Sequence, residues 1–219
     1  MFENIKGVIF DMDGTLIDSL WVWRKIDEDF ILKEGINLSP EELMGQIAHL
    51  SFNETAHYFK REFNLKETVE EIMLHWNTEA KRIYVEEVLL KDDALNLLIA
   101  LKEKGIKMAI ATSASNDLLH ETITSKEISH FFDVVVTTDM VGTSKVEPDV
   151  YLYAAKLLGI DPENIAVFED IPEAMMGARR AGMTVFGVHD TFSEHKHGEI
   201  LENCHMFITN FSEILPMLI

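Results

Sequence analysis

The chain has a single cysteine, Cys204, so it forms no internal disulfide. A lone thiol of this kind fits a reducing compartment and reads as a small packed side chain. Positive charge is also scarce: 19 Lys and Arg stand against 38 Asp and Glu, a formal net charge of −19. Such a surface repels nucleic-acid phosphates and anionic membranes, so neither nucleic acid nor membrane is expected as a partner. It also sets a condition for any phosphate-bearing ligand, because the site must supply local positive charge from a metal, a lysine or backbone amides. No apolar run reaches the roughly 18 residues that a membrane-spanning helix needs. The N-terminus shows no basic segment followed by an apolar stretch, so no secretory signal is read and a cytoplasmic location is expected. No repeat of fixed period and no low-complexity segment is found.

Against these scarcities, 47% of the residues are hydrophobic and 26% are charged. That is the balance of an ordinary globular protein. A length of 219 residues suits one large core, or a core with a small second domain, and an assembly no larger than a monomer or homodimer is expected. Short apolar segments rich in β-formers recur, and the first five end in polar residues or glycine-marked turns. They are Gly7-Val8-Ile9-Phe10, Ile106 to Ala111, Phe132 to Val136, Ile165 to Phe168, Thr184 to Val188 and, more weakly, Met206 to Ile208. Helical patterns separate them, at Asp93 to Glu103, Asp117 to Ser125, Pro148 to Leu158 and Glu173 to Ala181, with Gly105 and Gly182 as stops. Strands alternating with helices predict an α/β fold with a mostly parallel sheet covered on both faces. Ligands bind beyond the carboxyl ends of the strands in such sheets. The stretch from Ile17 to Glu87 breaks the alternation. It is rich in helix formers and aromatics, Trp21, Trp23, Phe30, Phe52, Tyr58, Phe59 and Trp76 among them, and it predicts an all-helical insertion placed to close over the strand ends.

Four polar clusters carry the chemistry. Asp11-Met12-Asp13-Gly14-Thr15 follows the first strand. Two carboxylates two apart on a strand point to opposite faces, but a turn at Gly14 brings both toward one pocket. Close carboxylates repel unless a cation lies between them, and a hard divalent ion such as magnesium suits oxygen ligands. The plainer reading is an acidic pair capping a strand turn. Glu169-Asp170 ends another strand and, with the first pair, completes an oxygen-rich metal site; taken alone it reads as a solvated strand end. Thr112-Ser113-Ala114-Ser115 ends a third strand, where hydroxyls and amides at a helix N-terminus grip phosphate oxygens. Helix capping by Ser115 or Asn116 is the other reading, and both can hold at once. Lys145 lies in the loop before a helix that Pro148 and Asp149 start. A lone lysine is usually a solvated surface group, but this one is placed to face four carboxylates.

Taken in order, strand-Asp11-Met-Asp13-Gly-Thr15, strand-Thr112, Lys145-x-x-Pro-Asp149 and strand-Glu169-Asp170 resemble the haloacid dehalogenase-like phosphatases. The resemblance covers nearly the whole chain and lies with the subgroup of β-phosphoglucomutase and phosphoglycolate phosphatase, which carry a helical cap after the first motif. It implies a Rossmann-like core at 1–16 and 88–219 with a helical-bundle cap at 17–87. It implies a Mg2+-dependent phosphatase acting on a small phosphorylated metabolite. Asp11 attacks phosphorus to form an aspartyl-phosphate, and Asp13 handles the protons of the leaving group and of the attacking water. Gly14, Thr112, Ser113, Ala114 and Lys145 hold the phosphoryl group. The metal rests on Asp11, Asp13 through its backbone carbonyl, Asp170 and, directly or through water, Glu169. There are departures: Ser144 and Val146 stand where glycine and proline are common, and Ile171-Pro172 replace a small polar residue.

The alternative function is a sugar-phosphate mutase. A mutase of this subgroup uses a cap histidine and a cap arginine for its second phosphate, whereas this chain has Leu20-Trp21-Val22-Trp23 in the first place and no arginine between Met44 and Phe52. A phosphatase is therefore preferred. Trp21, Trp23, His49 and Ser51 are candidates for substrate contact, with cap packing as the plainer role of the tryptophans and surface exposure as that of His49. His189, His195 and His197 lack the thiolates or rigid frame of a zinc site and read as a solvated loop.

Overall fold

A computed structural model describes residues 2–36, 38–47 and 52–218, which fall into two compact units. One unit comprises Met1–Ser19 with Val88–Ile219, and the other Leu20–Glu87. The first contains the strands β1 (Gly7–Phe10), β2 (Ile17–Asp18), β3 (Leu89–Leu90), β4 (Lys107–Thr112), β5 (Val134–Thr137), β6 (Ile165–Glu169), β7 (Thr184–Val188) and β8 (Met206–Ile208). Six form one sheet in the order β5-β4-β1-β6-β7-β8, with every neighbouring pair parallel. Chain order runs β1, β4, β5 to one side and then resumes with β6, β7, β8 on the other side of β1. The reversal lies between β1 and β6, and a doubly wound sheet opens a binding crevice at that point.

Register decides which residues meet there. Phe10 pairs with Ile110 on one side and with Phe168 on the other. The next residues along, Asp11, Ala111-Thr112 and Glu169-Asp170, therefore emerge side by side on strands about 4.8 Å apart. Every residue of β1 is buried, as expected of a central parallel strand covered on both faces. One face packs Ile9, Ala109, Val167 and Val185 beneath Val150, Tyr151, Ala154, Met175 and Ala178, carried by the helices Asp149–Leu158 and Pro172–Arg180. The other face stacks Phe10, Phe168 and Phe186 with centroids 5.1 and 5.0 Å apart, and Phe211 meets the first two edge-on. Each such ring contributes about 1.5–3 kcal/mol by leaving water.

The helical unit consists of α1 (Trp21–Glu34), α2 (Pro40–Ile47), α3 (Phe52–Glu62) and α4 (Val69–Glu86). Gly35 ends α1 in the left-handed conformation, with φ of 63°, a conformation that costs glycine nothing. Thr68 and Glu71 close a reciprocal capping box at the start of α4. The core centres on Phe59, whose ring lies 4.8 Å from Phe30 and 4.9 Å from Trp76. Of the aromatics that marked this stretch, Phe59 and Trp76 are buried, and the half-buried Phe30, Phe52 and Tyr58 lay their rings against them.

In the core unit the remaining helices are α5 (Ala94–Glu103), α6 (Asn116–Ser125), α7 (Thr138–Val141), α8 (Asp149–Leu158), α9 (Pro172–Arg180) and α10 (His197–Asn203). Two local differences from the sequence-based expectation have physical causes. Ile17 and Asp18, expected within the helical stretch, form β2 and pair antiparallel with Leu90 and Leu89 of β3. The strand expected at Phe132 to Val136 instead spans Val134–Thr137. The Asp133 carboxylate accepts from the Met108 N–H at 2.9 Å, and Phe132 turns its ring against Phe10.

Candidate active site

Asp11 sits one residue beyond β1, and its N–H still donates to the Phe168 carbonyl at 3.0 Å. The chain then doubles back. Leu16 and Ile17 both donate to the Met12 carbonyl at 3.0 Å, and Gly14 donates to Ile17 at 3.0 Å with φ of 75°. That φ is strained for residues with a Cβ, which is why the turn needs glycine here. The two carboxylates of the motif take different partners. Asp11 stays at the strand end and is buried. Asp13 is turned so that its Oδ1 accepts from the Ser19 hydroxyl at 2.7 Å. Thr15, fully buried, donates its hydroxyl to Asp170 Oδ1 at 3.1 Å.

Asp11, Glu169 and Asp170 each offer an oxygen within 4.8 Å of the others, and all three are buried. This is the only such cluster of possible metal ligands among the described residues. Lys145 enters it from the loop before α8, its Nζ paired with Asp11 Oδ1 and Glu169 Oε1 and its side chain only 10% exposed. Burial works against the Lys145 ammonium, but the charges of Asp11 and Glu169 outweigh it and hold the lysine above its ordinary range. Burial, and then the charge of Asp11, pushes Glu169 up to about 7 against the pull of Lys145. Burial first, then Glu169 and Asp11, raises the Asp170 carboxyl well above the usual carboxylate range. Three buried carboxyl groups share one ammonium, and such crowding of like groups is the condition that raises carboxyl pKa values.

The oxygens of the cluster are unequally engaged. Glu169 Oε1 is shared by Lys145 and the Tyr151 hydroxyl, the latter at 3.1 Å, while Oε2 accepts from the Asp170 N–H at 3.1 Å. Asp170 Oδ2 is buried and has no hydrogen-bond partner. A buried, unpartnered carboxylate oxygen beside a second carboxylate, in an all-oxygen donor set, fits a hard divalent cation. Asp11, through the oxygen not paired with Lys145, and Asp170, through Oδ2, are placed to hold one directly, whereas both oxygens of Glu169 are engaged, Oε1 by Lys145 and Tyr151 and Oε2 by the Asp170 N–H. The Asp13 carboxylate is not part of the cluster, which leaves its backbone carbonyl as the group available from that residue.

Tyr151 is a site residue that the sequence reading missed. It is fully buried on α8, and burial followed by the charge of Glu169 raises its hydroxyl well above the usual tyrosine range, so it stays a donor. The available signal was a tyrosine one turn into a helix that starts beside the lysine loop, since a buried phenol needs a partner for its hydroxyl. In the β4–α6 turn, Thr112 is buried and its Oγ1 accepts from the Ala114 N–H at 3.0 Å, so that amide is already engaged. Ser115 rather than Asn116 caps α6, accepting from the Leu118 N–H at 3.3 Å. Ser113 is exposed at the turn.

In the helical unit, Trp23 is 39% exposed and lies edge-on to Phe52 at 5.5 Å, and Trp21 is half-buried. His49 and Ser51 lie outside the described residues. His197 packs its ring 4.9 Å from Phe207, an aromatic contact rather than a ligand arrangement.

Residues 8–188 match the family model of the haloacid dehalogenase-like hydrolases. A phosphorylated carbohydrates phosphatase from Thermotoga maritima is 28% identical over 98% of each chain. Hexitol phosphatase A from Escherichia coli K12 is 30% identical over 84% of this chain and 83% of its own. A solved structure from Thermotoga maritima, provisionally called a beta-phosphoglucomutase, superposes with a TM-score of 0.86 at 27% identity over 98% of both chains.

Proposed function

The chain belongs to the haloacid dehalogenase-like hydrolases, and on that premise we propose that it is a magnesium-dependent phosphatase of phosphorylated carbohydrates, working through an aspartyl-phosphate on Asp11. The observation that carries this reading is the convergence of Asp11, Lys145, Glu169 and Asp170 at the point where strand order reverses. The carbohydrate class is supported by the relatives, which act on phosphorylated carbohydrates and hexitol phosphates by name.

A carboxylate oxygen of Asp11 attacks phosphorus, and the bond from phosphorus to the leaving oxygen breaks. Asp13, protonated, gives its proton to that oxygen. The resulting Asp13 carboxylate then takes a proton from a water that attacks phosphorus, the Asp11–phosphorus bond breaks, and inorganic phosphate leaves. Ser19 orients Asp13 for both steps through its hydrogen bond. Lys145 holds Asp11 in place and neutralises the phosphoryl oxygens. The Thr112 hydroxyl accepts from Ala114, so its own hydrogen remains to donate to the phosphoryl group, joined by the amide of Ser113, whereas the Gly14 N–H, expected to share this task, is engaged by the Ile17 carbonyl. A magnesium ion held by Asp11, Asp170 and the Asp13 carbonyl, with Glu169 behind it, would supply charge neutralisation to the transferring group. Positioning and charge stabilisation account for most of the rate in phosphoryl transfer.

Trp21, Trp23, His49 and Ser51 are assigned to substrate selection. Hydrolysis is favoured over mutase chemistry because transfer to water needs only the core residues, whereas a mutase needs a second phosphate anchor.

A panel of sugar phosphates, hexitol phosphates, phosphoglycolate, nucleotides and p-nitrophenyl phosphate, each with magnesium and with EDTA, tests the reading. Magnesium-dependent phosphate release is expected, with the carbohydrate esters turned over best. Interconversion of glucose 1-phosphate without net phosphate release would establish the mutase instead. Best turnover of a nucleotide would reject the carbohydrate assignment.

A further inference from the structure

Lys145 depends on a loop, and loops are held by whatever their backbone touches. The lysine loop lies against α9, and two features of that helix meet its main chain. The first is Gly177. A Cβ built there would stand 2.0 Å from the Lys145 carbonyl oxygen, 3.1 Å from its carbonyl carbon and 3.0 Å from the Glu147 carbonyl oxygen. These are backbone atoms, which cannot swing aside as a flexible side chain can. The second is Arg180, one turn further along, whose Nη1 donates to the Val146 carbonyl at 3.1 Å. Three consecutive carbonyls of the loop thus rest on one face of one helix.

Glycine at this place is costly by itself. In a helix interior it is less favourable than alanine, and the φ of Gly177 does not call for it, since its conformation is the ordinary helical one. What calls for it is the approach of the Lys145 carbonyl. Restoring ordinary contact would push that carbonyl back by roughly 1 Å, and a displacement of that size at a catalytic group can cost about 10²-fold in rate.

We infer that Gly177 and Arg180 are positioning residues for the reaction: the bare backbone of α9 seats the Lys145 carbonyl and the Arg180 guanidinium ties down the next one, so that the ammonium meets Asp11 and Glu169. This inference rests on Lys145 being the catalytic lysine of the proposed phosphatase.

The test compares kcat and KM for p-nitrophenyl phosphate with magnesium in wild type, Gly177→Ala, Arg180→Ala, Lys145→Met and the two double variants. Gly198→Ala serves as control, because a Cβ on that exposed helical glycine meets nothing within 4 Å. Near-ultraviolet circular dichroism and thermal midpoints report folding. Gly177→Ala is expected to lower kcat about 10²-fold with KM within about twofold, Arg180→Ala to lower it about two- to fivefold, and Gly198→Ala to match wild type. In the Lys145→Met background both losses should shrink to less than about twofold, since residues acting through one group are not additive. A purely structural role would lower the thermal midpoint yet leave the two losses additive with Lys145→Met, and that result overturns the inference. So does a folded Gly177→Ala protein with wild-type kcat. If Gly177→Ala does not fold, the exposed Arg180→Ala decides, and wild-type kcat there rejects the role. Absence of any magnesium-dependent release by wild type defeats the phosphatase reading itself and is distinguishable from all of these.

Discussion

Asp11→Asn is expected to reduce phosphate release by at least about 10³-fold while leaving the protein folded. The loss is large because the residue is assigned the bond-forming role, and removing a covalent nucleophile costs more than removing a group that only steadies the transition state. The fold should survive because two effects oppose one another. The amide loses the buried pairing with Lys145, which is destabilising. It also removes one of three buried carboxylates, whose charge raises both Glu169 and Asp170. The backbone hydrogen bond from residue 11 to Phe168 is untouched. A thermal midpoint within about 5 °C of wild type is expected, given roughly 2–4 °C per kcal/mol at this size. Activity above about one tenth of wild type would remove Asp11 from the nucleophile's role.

Magnesium is expected to raise the thermal midpoint by roughly 5–10 °C at a concentration 100 times its dissociation constant. Binding to the folded state alone then contributes about 2.7 kcal/mol, converted at the same 2–4 °C per kcal/mol. The ion answers a specific deficit, three buried carboxyl groups gathered around one ammonium and the unpartnered Asp170 Oδ2. Asp170→Asn should cancel most of this shift. Its amide oxygen can still accept from Thr15 as the carboxylate does, so the variant isolates the missing charge from the missing shape. An unchanged magnesium shift in Asp170→Asn would place the ion elsewhere. This measurement needs no substrate, and so it separates metal binding from turnover.

Much of the core unit was legible because parallel strands are buried on both faces and therefore read as apolar runs. Ile165 to Phe168 and Thr184 to Val188 needed no periodicity argument. The two-residue strands β2 and β3 were not legible, since Ile17-Asp18 and Leu89-Leu90 carry no pattern. They exist only because the chain leaves and returns at one place. The polar clusters stood out because carboxylates at the end of an apolar run are costly without a purpose. How the oxygens divide was not readable. Asp11 and Asp13 look equivalent in sequence, yet the Gly14 turn sends one to the cluster and the other to Ser19. Tyr151 stayed hidden because a large side chain on the inner face of an amphipathic helix reads as packing, and its hydroxyl's target is 18 residues away. Gly177 stayed hidden for a related reason: a glycine's function here is an absent atom, visible only when the Lys145 carbonyl is seen to occupy the space.

The most direct test of covalent phosphoryl transfer is to trap the intermediate in Asp13→Asn. This variant lacks the base for water but keeps Asp11 and Lys145, and p-nitrophenolate leaves without a proton, so the phosphorylated enzyme should accumulate. Borohydride reduces an acyl phosphate to an alcohol. Peptide mass spectrometry after quenching is therefore predicted to find homoserine at position 11, with Glu169 and Asp170 unmodified. A burst of p-nitrophenolate with residue 11 still recovered as aspartate would contradict attack by Asp11.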